Sequence, residues 1–194
     1  MFTSFHHAIL WSIDGAWIAF VAYWGIRALS VKRAVRRQGI GGRLFQILMG
    51  MAVFILLWNE NADWGVLSSR FVPREHAWAV LGAVLTCAGV AIAIWARTIL
   101  GGNWSGIVTV KQDHTLVRTG PYTVVRHPIY SGLILAVLGT ALAIGEYRAL
   151  VAVGIIVMMF LVKSRTEERF MTEEFGREYE DYRRQTSALI PFIF

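Results

Sequence analysis

Charge is what this chain has least of. Asp, Glu, Lys and Arg make up 16% of its 194 residues, against roughly 25% in a soluble domain. With 56% hydrophobic residues and a mean hydropathy of +0.51, that shortage excludes an ordinary water-soluble globule and predicts an integral membrane protein. The one cysteine, Cys87, excludes an intramolecular disulfide and a cysteine metal site. Its place within an apolar run predicts a small buried residue. Met1 to His7 lacks the basic segment of a signal peptide, and no small-residue cleavage site closes the first apolar run, which is expected to be a retained span. No Gly-rich phosphate loop is present, because Gly39-Ile40-Gly41-Gly42 lacks the following Lys-Ser/Thr. No zinc-binding His-Glu-x-x-His and no Gly-x-Ser-x-Gly elbow occurs either, and no metal is expected. The net charge is +6, yet the basic residues cluster between apolar runs. That placement reads as an orientation signal, not as a surface for nucleic acid.

What is present is a succession of apolar runs: Ala8 to Leu29, Ile40 to Trp58, Ala77 to Leu100, Ile129 to Ile144 and Ala149 to Val162. The last two sit near the lower limit for a span, roughly 17–25 residues, and Gly145-Glu146-Tyr147-Arg148 joins them as an antiparallel hairpin. The prediction is an all-α polytopic bundle of five spans and a cytoplasmic C-terminal helix, forming one membrane domain over 1–194. Residues 1–100 supply three spans. The basic stretch Val31 to Gly39, which could also lie on lipid as an amphipathic helix, places the N-terminus outside and the C-terminus in the cytoplasm. Lys163 and Arg165 agree. Asp14 is expected at the outer interface. Gly82, Ala83, Ala88, Gly89, Ala91 and Ala93 suit close helix approach in the third span.

One stretch concentrates polar chemistry, Gly120 through Gly132, with Arg126-His127-Pro128 at its centre. Pro128 suits the first turn of a helix, so Arg126 and His127 should stand at a helix mouth with free N–H groups able to hold an anionic or electron-rich ligand. Tyr122 and Tyr130 offer faces for a heterocycle or a sulfonium. Glu167 and Glu168 fall where the last span leaves the membrane, on the same side. Beyond them Phe175, Tyr179 and Tyr182 recur at helical spacing as an aromatic face. The end of the chain, Leu189 to Phe194 around Pro191, is expected to fold back or dip into the interface.

Leu116-Val117-Arg118-Thr119-Gly120-Pro121-Tyr122, Arg126-His127-Pro128-x-Tyr130-x-Gly132, Arg165-Thr166-Glu167-Glu168 and Phe175-Gly176-x-x-Tyr179-x-x-Tyr182 together resemble the isoprenylcysteine carboxyl methyltransferase family. The related phospholipid N-methyltransferases share much of the pattern. The resemblance covers about the last half of the chain, 101–194. It implies S-adenosylmethionine at the cytoplasmic face, S-adenosylhomocysteine as product, and a lipophilic acceptor entering from the bilayer of a bacterial-type inner or plasma membrane. It further implies that His127, Pro128, Tyr130, Glu167 and Glu168 belong to the cofactor pocket, with His114, Leu116, Val117, Gly120 and Tyr122 lining it. Arg126, and Arg183 or Arg184, would hold the acceptor beside Glu168. Gln185-Thr186-Ser187-Ala188 departs from the Arg-Val-Pro-like sequence of the carboxyl methyltransferases. A carboxylate, an amine and a thiol therefore all stay open as the acceptor, with an isoprenylcysteine-like carboxylate favoured. The rivals are an NADPH-dependent sterol-reductase-like oxidoreductase, in which Asp tends to stand where this chain has Leu133, and a non-catalytic scaffold.

Overall fold

The computed structural model describes residues 2–28, 34–37, 40–59, 61–103, 109–111 and 116–191. Its helices are α1 (Phe2–Ala28), α2 (Ile40–Trp58), α3 (His76–Leu100), α4 (Pro128–Ile144), α5 (Tyr147–Phe175) and α6 (Arg177–Gln185). α1, α2, α3 and α5 are each long and apolar enough to cross a bilayer, so the chain is an all-α integral membrane bundle. α4 has 17 residues and buries ten of them. It is the central helix, clasped between α3 and α5, and presents less of itself to lipid than its neighbours do. Its principal partner is α3, where the sequence suggested α5.

Small residues set that partnership. A Cβ on Gly82 would lie 2.5 Å from the carbonyl oxygen of Gly139, one on Gly139 would lie 2.5 Å from that of Gly82, and one on Gly132 would lie 2.6 Å from that of Gly89. Backbone thus meets backbone, which only glycine allows. Ala83 and Ala93 are buried nearby, whereas Ala88, Ala91 and Cys87 are exposed. The expectation of a buried cysteine was wrong because Cys87 falls on the α3 face turned away from α4. Thr86 and Thr140 hydroxyls meet at 3.2 Å across the same seam, and Trp17 donates to Thr140 at 3.0 Å. Asp14 is half-buried and accepts a hydrogen bond from Trp58 Nε1 at 3.2 Å. It ties α1 to α2 within the bundle.

Two alternatives that the sequence leaves open are decided. Within the basic stretch, Ala34–Arg37 (β1) pairs antiparallel with Thr109–Lys111 (β2), so those residues form a strand and not an amphipathic helix. α5 also runs on without a break through Glu167 and Glu168 to Phe175, where Gly176 at φ +52° turns the chain into α6. The aromatic seam is thereby split: Tyr179 and Tyr182 are buried under α6, while Phe175 stays on α5, half-buried. Past α6 the chain folds back, and Leu189 is buried against α4. Phe192 to Phe194 lie outside the described residues.

Candidate active site

The approach to α4 is built from a turn and a proline. Gly120 at φ +60° and Pro121 open a 3₁₀ turn, Gly120–Thr123, and Tyr122 is buried with its hydroxyl donating to the Ala96 carbonyl at 3.4 Å. Tyr182 on α6 donates to the Tyr122 carbonyl at 2.7 Å, and Arg118 binds Glu178 at 2.7 Å. α6 therefore clamps the approach segment. Pro128 occupies the first turn of α4 and leaves His127 as the residue before it, at φ −123° and ψ 57°.

Arg126 and His127 then point at two carboxylates on α5. Arg126 Nε donates to Glu168 Oε1 at 2.8 Å. The His127 ring lies with Nε2 3.3 Å from Glu168 Oε1 and Nδ1 3.5 Å from Glu167 Oε2. Tyr130 Oη donates to Glu167 Oε1 at 2.6 Å, and Arg183 Nε stands 3.5 Å from Glu168 Oε2. The structure thus brings Arg126, His127, Tyr130, Glu167, Glu168 and Arg183 together in one cluster. Arg184 is turned away, 76% exposed and paired with Asp181. Leu116 and Val117 are half-buried, and Val117 packs against the core that holds Tyr122 and Tyr130, whereas His114 lies outside the described residues.

The faces of Tyr130 are already engaged. The Tyr130 ring lies parallel to His127, with centroids 5.4 Å apart, and to Phe160 at 4.5 Å. Lys163 Nζ sits 5.3 Å from its centroid. Phe160 was not expected at the site, and Lys163 was expected only as an orientation signal. Their one signal is position, since they fall seven and four residues before Glu167 on a helix whose turns stack at such spacings.

The helix mouth is not the open anion site its sequence suggested. The N–H of Arg126 donates to the Ser187 carbonyl at 2.9 Å and that of His127 to Ala188 at 3.1 Å, while Ser187 N–H donates to Val124 at 3.2 Å. The returning C-terminal strap consumes those donors. It also takes one arm of Arg126, whose Nη1 donates to the carbonyls of Arg183 and Thr186. Nη2 has no hydrogen-bond partner among the described residues.

Burial by itself would lower the His127 pKa, but hydrogen bonds to Glu167 and Glu168, and their charge, outweigh it and leave the pKa raised above 6.5. A raised folded-state pKa means the imidazolium stabilises the fold fully below the ordinary value. That contribution disappears as pH rises through the folded value. The melting temperature in detergent should therefore fall over that window, and His127→Gln should flatten the profile. A wild-type profile as flat as that of the variant would contradict the pairing.

Behind the Arg126–His127 backbone lies an apolar groove of about 990 Å³. Ile92 and Trp95 of α3, Ile134 and Leu138 of α4, and Val157 and Leu161 of α5 form its walls. Gly120, Pro121 and the strap residues Leu189 to Pro191 form its rim. Val125 and Pro128 line it too, and these bracket Arg126 and His127 in the chain. Charged cluster and groove therefore share a wall. Gly120 and Pro128, expected in the polar pocket, are on the apolar side of it.

A family described as phospholipid methyltransferase matches residues 77–178. The protein-S-isoprenylcysteine O-methyltransferase of Schizosaccharomyces pombe is 34% identical over 127 residues, covering 64% of this chain and 53% of that protein. The Saccharomyces cerevisiae protein of the same name is 36% identical over 120 residues, covering 58% and 50%. The chain spans about half the length of these curated relatives. Among solved structures, a eukaryotic intramembrane Ras methyltransferase, isoprenylcysteine carboxyl methyltransferase, aligns with a TM-score of 0.53 at 23% identity, over 82% of this chain and 55% of that one. That likeness is one of fold.

Proposed function

This chain belongs to the phospholipid methyltransferase family, and on that footing we propose that it moves a methyl group from S-adenosylmethionine to the carboxylate of a lipophilic, isoprenylcysteine-like acceptor that arrives from the bilayer. The observation that carries the reading is the shared wall: a half-buried Arg–His–Glu cluster on one side and a lipid-sized apolar groove on the other. The proposed orientation puts this end of the bundle at the cytoplasmic face, where a water-soluble donor reaches it.

The residues suit both partners. A carboxylate offers about four acceptor sites, and Glu167 uses two, for Tyr130 and His127. The remainder fit ribose hydroxyls or the donor's ammonium. S-adenosylmethionine, when bound, supplies an activated methyl on a sulfonium centre. The chain's part is orientation and exclusion of water. Arg126 carries the orientation: its Nε already holds one carboxylate, that of Glu168, and the two N–H groups of Nη2 are open to a second. No proton need be removed from an ionised acceptor. That agrees with a site in which both glutamates already hold cations, leaving neither as an unengaged base for an amine.

Purified protein incubated with methyl-labelled S-adenosylmethionine and S-farnesyl cysteine should yield a labelled product whose methyl is released by mild alkali, as an ester's is. An alkali-stable label on phospholipid amine would assign the N-methyl chemistry instead. S-adenosylhomocysteine should bind the same preparation and NADPH should not. The reverse would overturn the proposal in favour of the reductase.

A further inference from the structure

The strap that returns from α6 touches both halves of the site. Its Thr186 carbonyl, together with that of Arg183 in the last turn of α6, takes Arg126 Nη1, and its Leu189, Ile190 and Pro191 side chains wall the groove. Between these two duties the strap is fixed by backbone bonds to residues 124–127, by Thr186 Oγ1 on the Tyr182 carbonyl and, at its Leu189 turn, by the side chain of Ser131. Ser131 Oγ lies 2.5 Å from the Leu189 carbonyl and 3.2 Å from that of His127. A hydroxyl has one proton to give, and the His127 carbonyl already accepts the N–H groups of Tyr130 and Ser131. The proton therefore goes to Leu189. Ser131 is also one of the few polar side chains on the groove wall, which is otherwise almost wholly apolar. A serine there, facing a lipid-lined space, serves its latch partner.

We propose that Ser131 is a positioning residue that latches the Leu189 turn, so that a tail filling the groove and the guanidinium of Arg126 are registered through one strap. The proposal rests on the reading of the groove as the acceptor's tail site. Its physical content is a coupling. A tail that packs under Leu189 and Ile190 presses the strap onto α4, and the same strap holds Arg126 Nη1 by main-chain carbonyls. Without the latch, a long tail gains less from the groove, and the loss grows with the length of tail that reaches Leu189. A short tail that stops before it has less to lose.

The test compares wild type with Ser131→Ala in detergent, using S-farnesyl, S-geranyl and S-dimethylallyl cysteine as acceptors. Removing one buried hydrogen bond should raise KM for the farnesyl acceptor about fivefold. The increase should shrink through geranyl to dimethylallyl, with S-adenosylhomocysteine binding retained. A uniform rise for all three, or none, overturns the proposal. Hydrogen exchange on the wild-type protein provides a readout free of turnover. S-farnesyl cysteine should slow exchange at the Arg126, His127 and Ser187 amides, and S-dimethylallyl cysteine should slow it less. Protection without methyl transfer would sink the enzymatic reading and keep the strap. Methyl transfer without protection would do the opposite.

Discussion

Glu168→Ala should lower methyl transfer by about a hundredfold or more without unfolding the bundle. The Glu168 side chain is 14% exposed and its partner Arg126 10%, so this pair is far from the solvated surface type that contributes little. One carboxylate there meets three cationic side chains: Arg126, His127 and Arg183. Removing it leaves Arg126 Nε without its partner and puts His127 and Arg183 in mutual repulsion. Breaking a buried pair by removing one partner costs roughly 3–5 kcal/mol, and each 1.36 kcal/mol expressed in the transition state is about tenfold in rate. Arg126→Ala should do similar damage. The double variant should be little worse than either single one, because the two act as a unit. Arg184→Ala gives the contrast: its partner Asp181 and its 76% exposure place it outside the cluster, and its rate should stay within about twofold of wild type. Initial rates at saturating S-adenosylmethionine decide the matter. Losses of less than a few-fold for both Glu168→Ala and Arg126→Ala would mean that the cluster is structural.

Four of the five expected spans were legible because composition and run length report directly on the bilayer, whereas the run Ile129 to Ile144 forms a 17-residue helix shorter than those four. Ile40 to Trp58 was read to the residue, and Pro128 marked the start of α4 by its own covalent geometry. That Arg126 and His127 should meet Glu167 and Glu168 was legible from topology alone, since a hairpin returns its two polar ends to one side. The strap was not legible. The bonds from residues 124–127 to 187–188 are made by backbone groups, which carry no side-chain signature. The helix mouth therefore looked open when it is occupied. Arg183 and Arg184 could not be told apart either. Neighbours on a helix point about 100° apart, and which of them faces Glu168 depends on how Tyr179 and Tyr182 seat α6. The β1–β2 ribbon joins segments from opposite sides of two helices, α2 and α3, beyond the reach of any local periodicity.

The close contact of α3 with α4 should make glycine substitution there the most damaging to stability. At Gly139 an added Cβ would fall 2.5 Å from both the Gly82 carbonyl oxygen and the Thr86 amide nitrogen. Both are backbone atoms of a helix and cannot rotate aside. Gly139→Ala must therefore push the helices apart along the seam, loosening the Thr86–Thr140 contact and the packing of Ala93 and Ala136, which are fully buried. Overpacking of this kind costs about 1–3 kcal/mol, and more where backbone has to move. Gly139→Val, which adds β-branching to the clash, should prevent recovery of folded protein. Gly154 on α5 is the control, because nothing lies within 4 Å of its added Cβ. There Gly→Ala should raise the melting temperature slightly, helix propensity being worth up to ~1 kcal/mol. The two substitutions are chemically identical and both helical, so opposite signs in a detergent melt isolate the seam itself. The seam also fixes where α4 begins relative to α3, and so where Arg126 stands. Gly139→Ala should accordingly reduce methyl transfer at temperatures well below its melt, and Gly154→Ala should not. Equal melting shifts for the two would show that α3 and α4 are held together by something other than their glycines.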